Sequence, residues 1–224
     1  EAGNQHVTNQ TQTGHSNTLL GHYAGTSLTS GDHNTFLGQA TGLGNTVTGD
    51  ENTAVGSYAG YSIKDGGQNV LIGKSSGYLM RSGSYNIAIG RDALYSSPGT
   101  SGNIAIGDSS AYSVTTAALF TALGSSAAQN VTTGAGFVAL GYKAGFAQVD
   151  HGHWVAIGYE ALGGTATTNQ GNGIAIGMRA MFEAKDGSSG VAIGNSALNH
   201  LVGGYSTAVG DSAGRYATGS FNTF

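Results

Sequence analysis

Two histidines, His151 and His153, are separated by a single glycine, and side chains at this spacing could bind a metal ion together. Residues i and i+2 of an extended segment point to the same side, so both imidazoles would face one ligand position. Neutral imidazole suits iron, nickel and zinc. The pair falls in a loop of the repeat described below, however, and two exposed histidines are the simpler interpretation. We therefore predict no cofactor and keep a metal ion at this pair as the alternative.

Acidic side chains follow the glycine of several repeats, and two carboxylates across a cleft could hydrolyse a glycosidic bond. These residues are Asp92, Asp108, Glu160 and Asp211. They recur with the repeat, whereas a nucleophile with its base and orienting acid requires particular residues placed once. The absence of cysteine excludes thiol catalysis and disulfides. We predict no catalytic residue and no enzymatic activity.

Large aromatic side chains are concentrated between residues 120 and 159, beyond what the repeat requires. Exposed aromatic faces bind glycans and protein surfaces, so this set is the predicted receptor-binding site. The alternative is a change of packing in the interior or at an oligomer axis. The candidate residues are Phe120, Phe137, Tyr142, Trp154 and Tyr159.

A second aromatic set recurs at 17-residue intervals and consists of Tyr61, Tyr78, Tyr95 and Tyr112. Such spacing predicts rings that stack on one another along the molecule. We favour an interior ladder for these tyrosines. The alternative is a surface stripe against which sugars stack.

All these residues belong to one internal repeat, and a fixed period of this size decides the architecture. Successive copies are 17 residues apart in most steps and 16 to 19 in the others, which gives twelve copies. Each copy contains a glycine that follows a short apolar segment. These glycines are Gly21, Gly38, Gly56, Gly73, Gly90, Gly107, Gly124, Gly141, Gly158, Gly177, Gly194 and Gly210.

The three residues before each glycine have the alternation of a β-strand. The first is β-branched, the third is aliphatic, and the one between them is Ala in nine of twelve copies. We predict that the bulky residues point into the molecule and that the Ala face meets a partner subunit. A second strand is predicted after the glycine, from small, aromatic and apolar residues at alternate positions. The recurring Asn before the strand predicts an Asn ladder between Asn17 and Asn103.

Composition restricts the class of protein further. The chain has 40 glycines, one proline, 9% charged residues and a net charge of −4. Low charge with 39% hydrophobic residues excludes a disordered chain. The absence of a basic stripe argues against nucleic-acid binding. No apolar run approaches the roughly 18 residues of a membrane span, so we expect no membrane insertion.

The pattern predicts two regions and an all-β fold. Residues 1–16 are polar and lack a full repeat, which indicates a lead-in or an N-terminal cap. Residues 17–224 form a single repeat domain without a linker. We predict a parallel β-roll, or β-solenoid, of about twelve 17-residue coils. The chain begins and ends within the pattern and is therefore expected to be a fragment of a longer protein.

The repeated phrase also resembles a known family. Asn-Ile-Ala-Ile-Gly, at Asn86–Gly90 and Asn103–Gly107, is similar to the head repeats of YadA-like trimeric autotransporter adhesins. The longer form at Asn17–Gly25, Asn34–Gly42 and Asn52–Gly60 resembles repeats of bacteriophage tail fibres. The resemblance implies a left-handed parallel β-roll that is stable as a homotrimer and is exposed outside a cell or on a virion. The 17-residue period favours the bacteriophage form, because the adhesin repeats are usually shorter.

From the pattern and the resemblance we expect a non-enzymatic attachment-fibre domain. It would be a trimeric rod with which a bacteriophage tail fibre recognises a host-cell receptor, either a surface glycan or a protein. The alternatives are the head of a bacterial trimeric autotransporter adhesin and a purely structural spacer of a longer fibre. Each places the chain in a virion tail fibre or on a bacterial surface, outside the cell.

Overall fold

The computed structural model describes residues 13–149, 152–164, 172–184 and 189–224. Strands, turns and bends make up these residues, and none of them is helical. They therefore include no apolar helix that could cross a membrane. Two compact units divide the chain, Glu1–Thr116 and Ala117–Phe224. Most of the predicted lead-in, residues 1–12, lies outside the described residues.

Each repeat contributes one three-residue strand, at the position that the sequence predicts. The strand is short because the chain is extended only between a polar residue and the glycine that turns it. The strands are β1 (Thr18–Leu20), β2 (Thr35–Leu37), β3 (Thr53–Val55), β4 (Val70–Ile72), β5 (Ile87–Ile89), β6 (Ile104–Ile106), β7 (Thr121–Leu123), β8 (Val138–Leu140), β9 (Val155–Ile157), β10 (Ile174–Ile176), β11 (Val191–Ile193) and β12 (Thr207–Val209).

Consecutive strands pair in parallel and in register within each unit. In the first unit β1 to β6 lie side by side in chain order, and Ile87 pairs with Ile104. In the second unit β7 to β12 do the same, and Ala175 pairs with Ala192. Equivalent residues of successive repeats therefore lie above one another. This arrangement confirms the predicted parallel β-solenoid with a 17-residue coil.

The two faces of the strands are the reverse of the prediction. The central residue points inward and is buried in β2 to β12, and Ala88 and Ala105 are fully buried. The flanking aliphatic residues point outward, so that Leu37 keeps 40% and Ile72 37% of its surface exposed. A coil of 17 residues encloses little space, and the inward side chain must be small in most coils. The Ala face is therefore the interior, and the predicted contact between Ala faces of different subunits is wrong.

The predicted second strand is also absent from the described residues. After the glycine the chain forms a compact turn in which two residues adopt left-handed backbone angles, as Asp92 (φ 55°) and Leu94 (φ 53°) do. A strand cannot contain such angles. Turn atoms still bond to the neighbouring coil, since the Leu94 N–H donates to the Ser110 carbonyl at 3.0 Å. The alternating apolar residues of this segment therefore line a stack of turns.

Two separate reasons require glycine at the end of each strand, and Gly90 illustrates both. Its φ of 135° is outside the range that other residues adopt. A Cβ at Gly90 would also lie 2.4 Å from the carbonyl oxygen of Gly107 in the next coil. Because the coils are in close backbone contact here, a side chain would separate them.

Two positions of the coil compensate for each other in side-chain size: the central strand residue and the fourth residue after the glycine. Where the strand centre is large, as Phe36 is, the fourth residue after the glycine is itself a glycine. A Cβ on Gly42 would lie 2.6 Å from the Phe36 ring. Where the strand centre is Ala88, the equivalent residue is the buried Leu94. In these coils the two positions therefore share one core space that a single large side chain occupies.

The predicted Asn ladder is confirmed in the first unit. Asn52, Asn69, Asn86 and Asn103 are fully buried. Each of the last three donates its side-chain N–H to the side-chain oxygen of the preceding Asn at 2.9–3.0 Å. The Asn69 amide also donates to the Gly83 carbonyl at 2.8 Å. The coils from Asn52 to Asn103 are therefore hydrogen-bonded to one another through a polar core residue as well as through their backbone.

The shared core space predicts a compensating pair of substitutions. Phe36→Ala should lower the free energy of unfolding by about 3–5 kcal/mol, because it leaves a cavity. Adding Gly42→Leu should restore much of that loss, since it recreates the combination found at Ala88 and Leu94. Denaturant titration of the two variants measures the difference. A double variant no more stable than Phe36→Ala alone would contradict the shared space.

The Asn ladder predicts a large cost for removing one amide from its middle. Asn69→Ala leaves the Gly83 carbonyl and the backbone and side-chain N–H groups of Asn86 without these hydrogen bonds. Each unsatisfied buried group costs about 1–3 kcal/mol. Asn45→Ala is the control, because the Asn45 amide lies outside the ladder and donates to the Ser62 carbonyl at 2.6 Å. Equal shifts of the denaturation midpoint in the two variants would overturn the cooperative role of the ladder.

Candidate receptor-binding site

Three of the five predicted receptor-binding residues are buried. Phe120, Phe137 and Trp154 retain 2%, 1% and 1% of their surface. Their rings stack in the interior at centroid distances of 4.6 and 4.5 Å. They occupy the same place in the repeat as the ladder asparagines of the first unit, directly before the strand. They cannot form an exposed aromatic patch, and including them in a surface site was wrong.

The other two predicted residues do lie on the surface. Tyr142 and Tyr159 directly follow the glycines that end β8 and β9, and they are 41% and 47% exposed. Their ring centroids are 5.2 Å apart, with planes inclined by 27°. Lys143 places its Nζ 5.3 Å from the Tyr142 ring centroid. This small exposed stack is what remains of the predicted aromatic site.

A cavity close to these tyrosines contains residues that were not predicted as site residues. Its volume is about 560 Å³, and its walls include Lys143, Phe146, Glu160 and Phe182. Glu160 accepts a hydrogen bond from Arg179 Nε at 2.8 Å. Phe146 and Phe182 stand at one position of the repeat, five residues after the glycine. Only an alignment of all copies would have found this set, because its members are 36 residues apart.

The tyrosine ladder lies on the outside of the first unit. Tyr61, Tyr78, Tyr95 and Tyr112 are half-buried, and their rings stack at 4.8–5.0 Å with planes within 11° of parallel. The stacking was predicted, but the interior location was wrong. Partial burial raises the pKa of Tyr78 above its ordinary value, and the nearby Tyr61 and Tyr58 raise it further. Because each ring covers the next, a sugar cannot stack on the faces within this ladder.

Three of the four acidic residues that could have formed a hydrolytic pair bind side chains of neighbouring coils, namely Asp108, Glu160 and Asp211. Arg91 donates to both carboxylate oxygens of Asp108 at 2.7 and 3.0 Å. This hydrogen bond lowers the pKa of Asp108 from its ordinary value. Asp211 accepts from the Asn195 amide at 2.8 Å. Both arrangements join neighbouring repeats, and the Arg91 contact stabilises the ionised form of Asp108, which is the opposite of what a general acid requires.

The histidine pair can be located only in part, because His151 lies outside the described residues. His153 is exposed and has a left-handed φ of 63°. Its backbone N–H donates to the Ala135 carbonyl at 2.9 Å, which ties the loop to the previous coil. Within residues 13–149, 152–164, 172–184 and 189–224, no three His, Asp or Glu side chains are grouped as metal ligands would be. The predicted lack of a cofactor and its alternative, a metal ion at this pair, both remain untested expectations.

Comparisons of the chain with protein-family models, with curated proteins and with solved structures gave no match.

Proposed function

We propose that the chain is a non-enzymatic attachment domain of a fibre that acts outside the cell. It assembles as a homotrimer of left-handed β-rolls, and the fibre is that of a bacteriophage tail that recognises a receptor on its host. The observation that carries this proposal is the uncharged aliphatic outer face of the strands. The resemblance of the repeats to fibre and adhesin repeats supplies the kind of assembly.

The outer face of the strands favours association of several copies. None of the twelve strands contains a charged residue, and the flanking positions are Val, Ile, Leu or Thr. Leu20, Leu37 and Ile72 in the first unit, like Leu123 and Ile193 in the second, are exposed in the single chain. Contiguous apolar surface of this kind marks an interaction site. Because every copy carries the same face, closed symmetric packing of identical chains covers it.

Trimerisation also explains how weak contacts suffice for attachment. Three identical chains present each surface feature three times, at fixed separations. Once one site is engaged, the others bind at high effective concentration, so that avidity exceeds the affinity of a single site. The exposed Tyr142–Tyr159 stack is the surface feature that we assign to receptor contact. Its aromatic rings provide an apolar face, and its hydroxyls provide hydrogen-bonding groups.

Two other assignments make different predictions for binding. As the head of a bacterial trimeric adhesin, the domain would bind animal cells or matrix proteins. As a spacer, it would bind neither bacterial nor animal surfaces. The regular backbone hydrogen bonding between coils would serve all three roles, so the distinction depends on surface side chains such as Tyr142 and Tyr159.

The outer strand face predicts the oligomeric mass and the substitution that changes it. Wild-type chain should have three times the 22.4 kDa mass of one chain in solution. Leu37→Glu with Ile72→Glu should give the mass of a single chain, because burying two carboxylates per subunit in an apolar contact is costly. Light scattering after size-exclusion chromatography measures both.

Lys64→Glu is the matched control for these substitutions, since Lys64 is exposed outside the strands. This variant should keep the wild-type mass. A wild-type chain that is monomeric, or a double variant that stays trimeric, would reject the strand face as the interface.

Binding of the labelled wild-type trimer to cells tests the attachment function. We expect it to bind some members of a panel of bacterial strains that differ in surface polysaccharide. Tyr142→Ala with Tyr159→Ala should weaken that binding about tenfold or more, because exposed aromatic residues dominate many interfaces. Both side chains are exposed, so the variant should unfold at the wild-type midpoint.

Tyr205→Ala is the control for this measurement, because Tyr205 is exposed and stacks on Phe221 elsewhere in the same unit. Binding to animal cells alone would support the adhesin assignment. Binding to no cell surface would reject the attachment function and support the assignment as a structural spacer. Equal losses in the Tyr205 variant and the double variant would overturn the assignment of the Tyr142–Tyr159 stack.

A further inference from the structure

One position of the repeat places a ring on the outside of the solenoid. It is the fifth residue after the strand-ending glycine, and it is Tyr or Phe in six of the twelve repeats. Where consecutive repeats carry a ring, as from Tyr61 to Tyr112, the centroids are 4.8–5.0 Å apart. The rings therefore follow the strand spacing, and each coil offers room for one ring.

In the second unit this series of rings has a gap of one coil. Three consecutive repeats carry Phe146, Gly163 and Phe182 at this position. Two coil spacings separate the phenylalanines, which is about 10 Å. This is the distance at which a single flat ring between them would contact both. We call this space the Phe146–Phe182 slot.

The backbone itself keeps the slot free of a side chain from Gly163. A Cβ there would lie 2.7 Å from the carbonyl oxygen of Lys143 and 3.0 Å from the backbone of Glu160. No residue other than glycine fits without a shift of the neighbouring coil. The gap is therefore built into the packing of the coils, and the cavity of about 560 Å³ lies there. Ligand sites in proteins have volumes of this size.

Polar side chains stand around the rings. Asn130, Lys143, Glu160 and Glu183 all line the cavity. Glu183 Oε2 lies 2.8 Å from Nδ1 of His200. This contact holds the Glu183 carboxylate in place. A carboxylate has about four acceptor sites. Glu183 can therefore accept hydrogen bonds from a bound molecule as well.

Two positive charges and two carboxylates surround the slot. Lys143 Nζ lies 5.2 Å from the Phe146 ring centroid, and the Arg179 guanidinium lies 5.4 Å from that of Phe182. Arg179 is also bonded to Glu160 at 2.8 Å. A cationic ligand would compete with these two side chains for the rings, and an anionic one would approach two carboxylates. The slot therefore favours a neutral ring.

We propose that the Phe146–Phe182 slot binds one pyranose ring of a neutral glycan. A pyranose has apolar C–H faces, which match the two phenyl rings, and a rim of hydroxyls, which matches Glu183 and Asn130. A purely aromatic guest would use the rings and leave the polar rim without a partner. The proposal deepens the attachment function and rests on it for its biological meaning, because the glycan would be the receptor on the host surface.

Saturation-transfer NMR of the full chain with simple sugars tests the slot. The probes are the methyl glycosides of glucose, galactose, mannose and N-acetylglucosamine. We expect at least one of them to receive saturation at its ring C–H protons. Phe182→Ala and Phe182→Leu should both weaken that binding about tenfold or more, since each removes the ring face. The leucine variant keeps an apolar side chain and guards against a loss of folding.

Tyr112→Ala is the control, because Tyr112 has the same position in the repeat but belongs to the ladder of the first unit. It should leave sugar binding unchanged. Several results would overturn the slot: no glycoside binds, Tyr112→Ala weakens binding as much as Phe182→Ala, or phenol binds while every glycoside fails. Sugar binding by a chain that attaches to no cell would retain the slot and reject the attachment function. Cell attachment without sugar binding would reject the slot and retain the attachment function.

Discussion

The structure depends on direct backbone contact between successive coils. The Ile87 N–H donates to the Asn103 carbonyl, and the Gly107 N–H donates to the Ile89 carbonyl, each at 2.8 Å. A chain can repeat such contacts only if each circuit has nearly the same length, which is why the sequence has a 17-residue period. The same contact excludes a side chain at the strand-ending glycine. Residues at each position of the repeat are then forced to lie above their equivalents, and every surface feature becomes a row.

Much of this fold could be predicted from the sequence, because a period and a glycine position are local properties of the chain. All twelve strands occur where the alternation before each glycine placed them. Which face is inside could not be predicted, since alternation separates two faces without assigning them. The assignment depends on the size of the coil, and a narrow coil accepts Ala88 inside and leaves Ile72 outside. The sequence does not distinguish these turns from strands, because nothing in the residue types of Asp92 and Leu94 indicates their left-handed angles.

The aromatic residues show the same limit. Stacking followed from the period for Tyr61 to Tyr112, and the rings from Phe120 to Trp154 stack in the same way. The tyrosines nevertheless lie outside, and the phenylalanines and tryptophan inside. Burial depends on the position within the coil, and that requires the path of the turn. Tyr142 and Tyr159 are exposed because they directly follow a strand-ending glycine. The importance of Gly163 was not visible in the sequence, because it follows from a ring that is missing in one copy.

The side-chain amides of the Asn ladder share one orientation along the first unit. From Asn52 to Asn103, each side-chain amide donates one N–H to the Asn oxygen of the earlier coil, as Asn86 does to Asn69 and Asn103 does to Asn86. These amide–amide hydrogen bonds are therefore aligned head to tail from Asn103 to Asn34. Aligned hydrogen bonds polarise one another in a medium of low dielectric constant. An amide in the middle of such a chain is strengthened from both sides, so that coils at the centre of the unit resist opening more than coils at its ends.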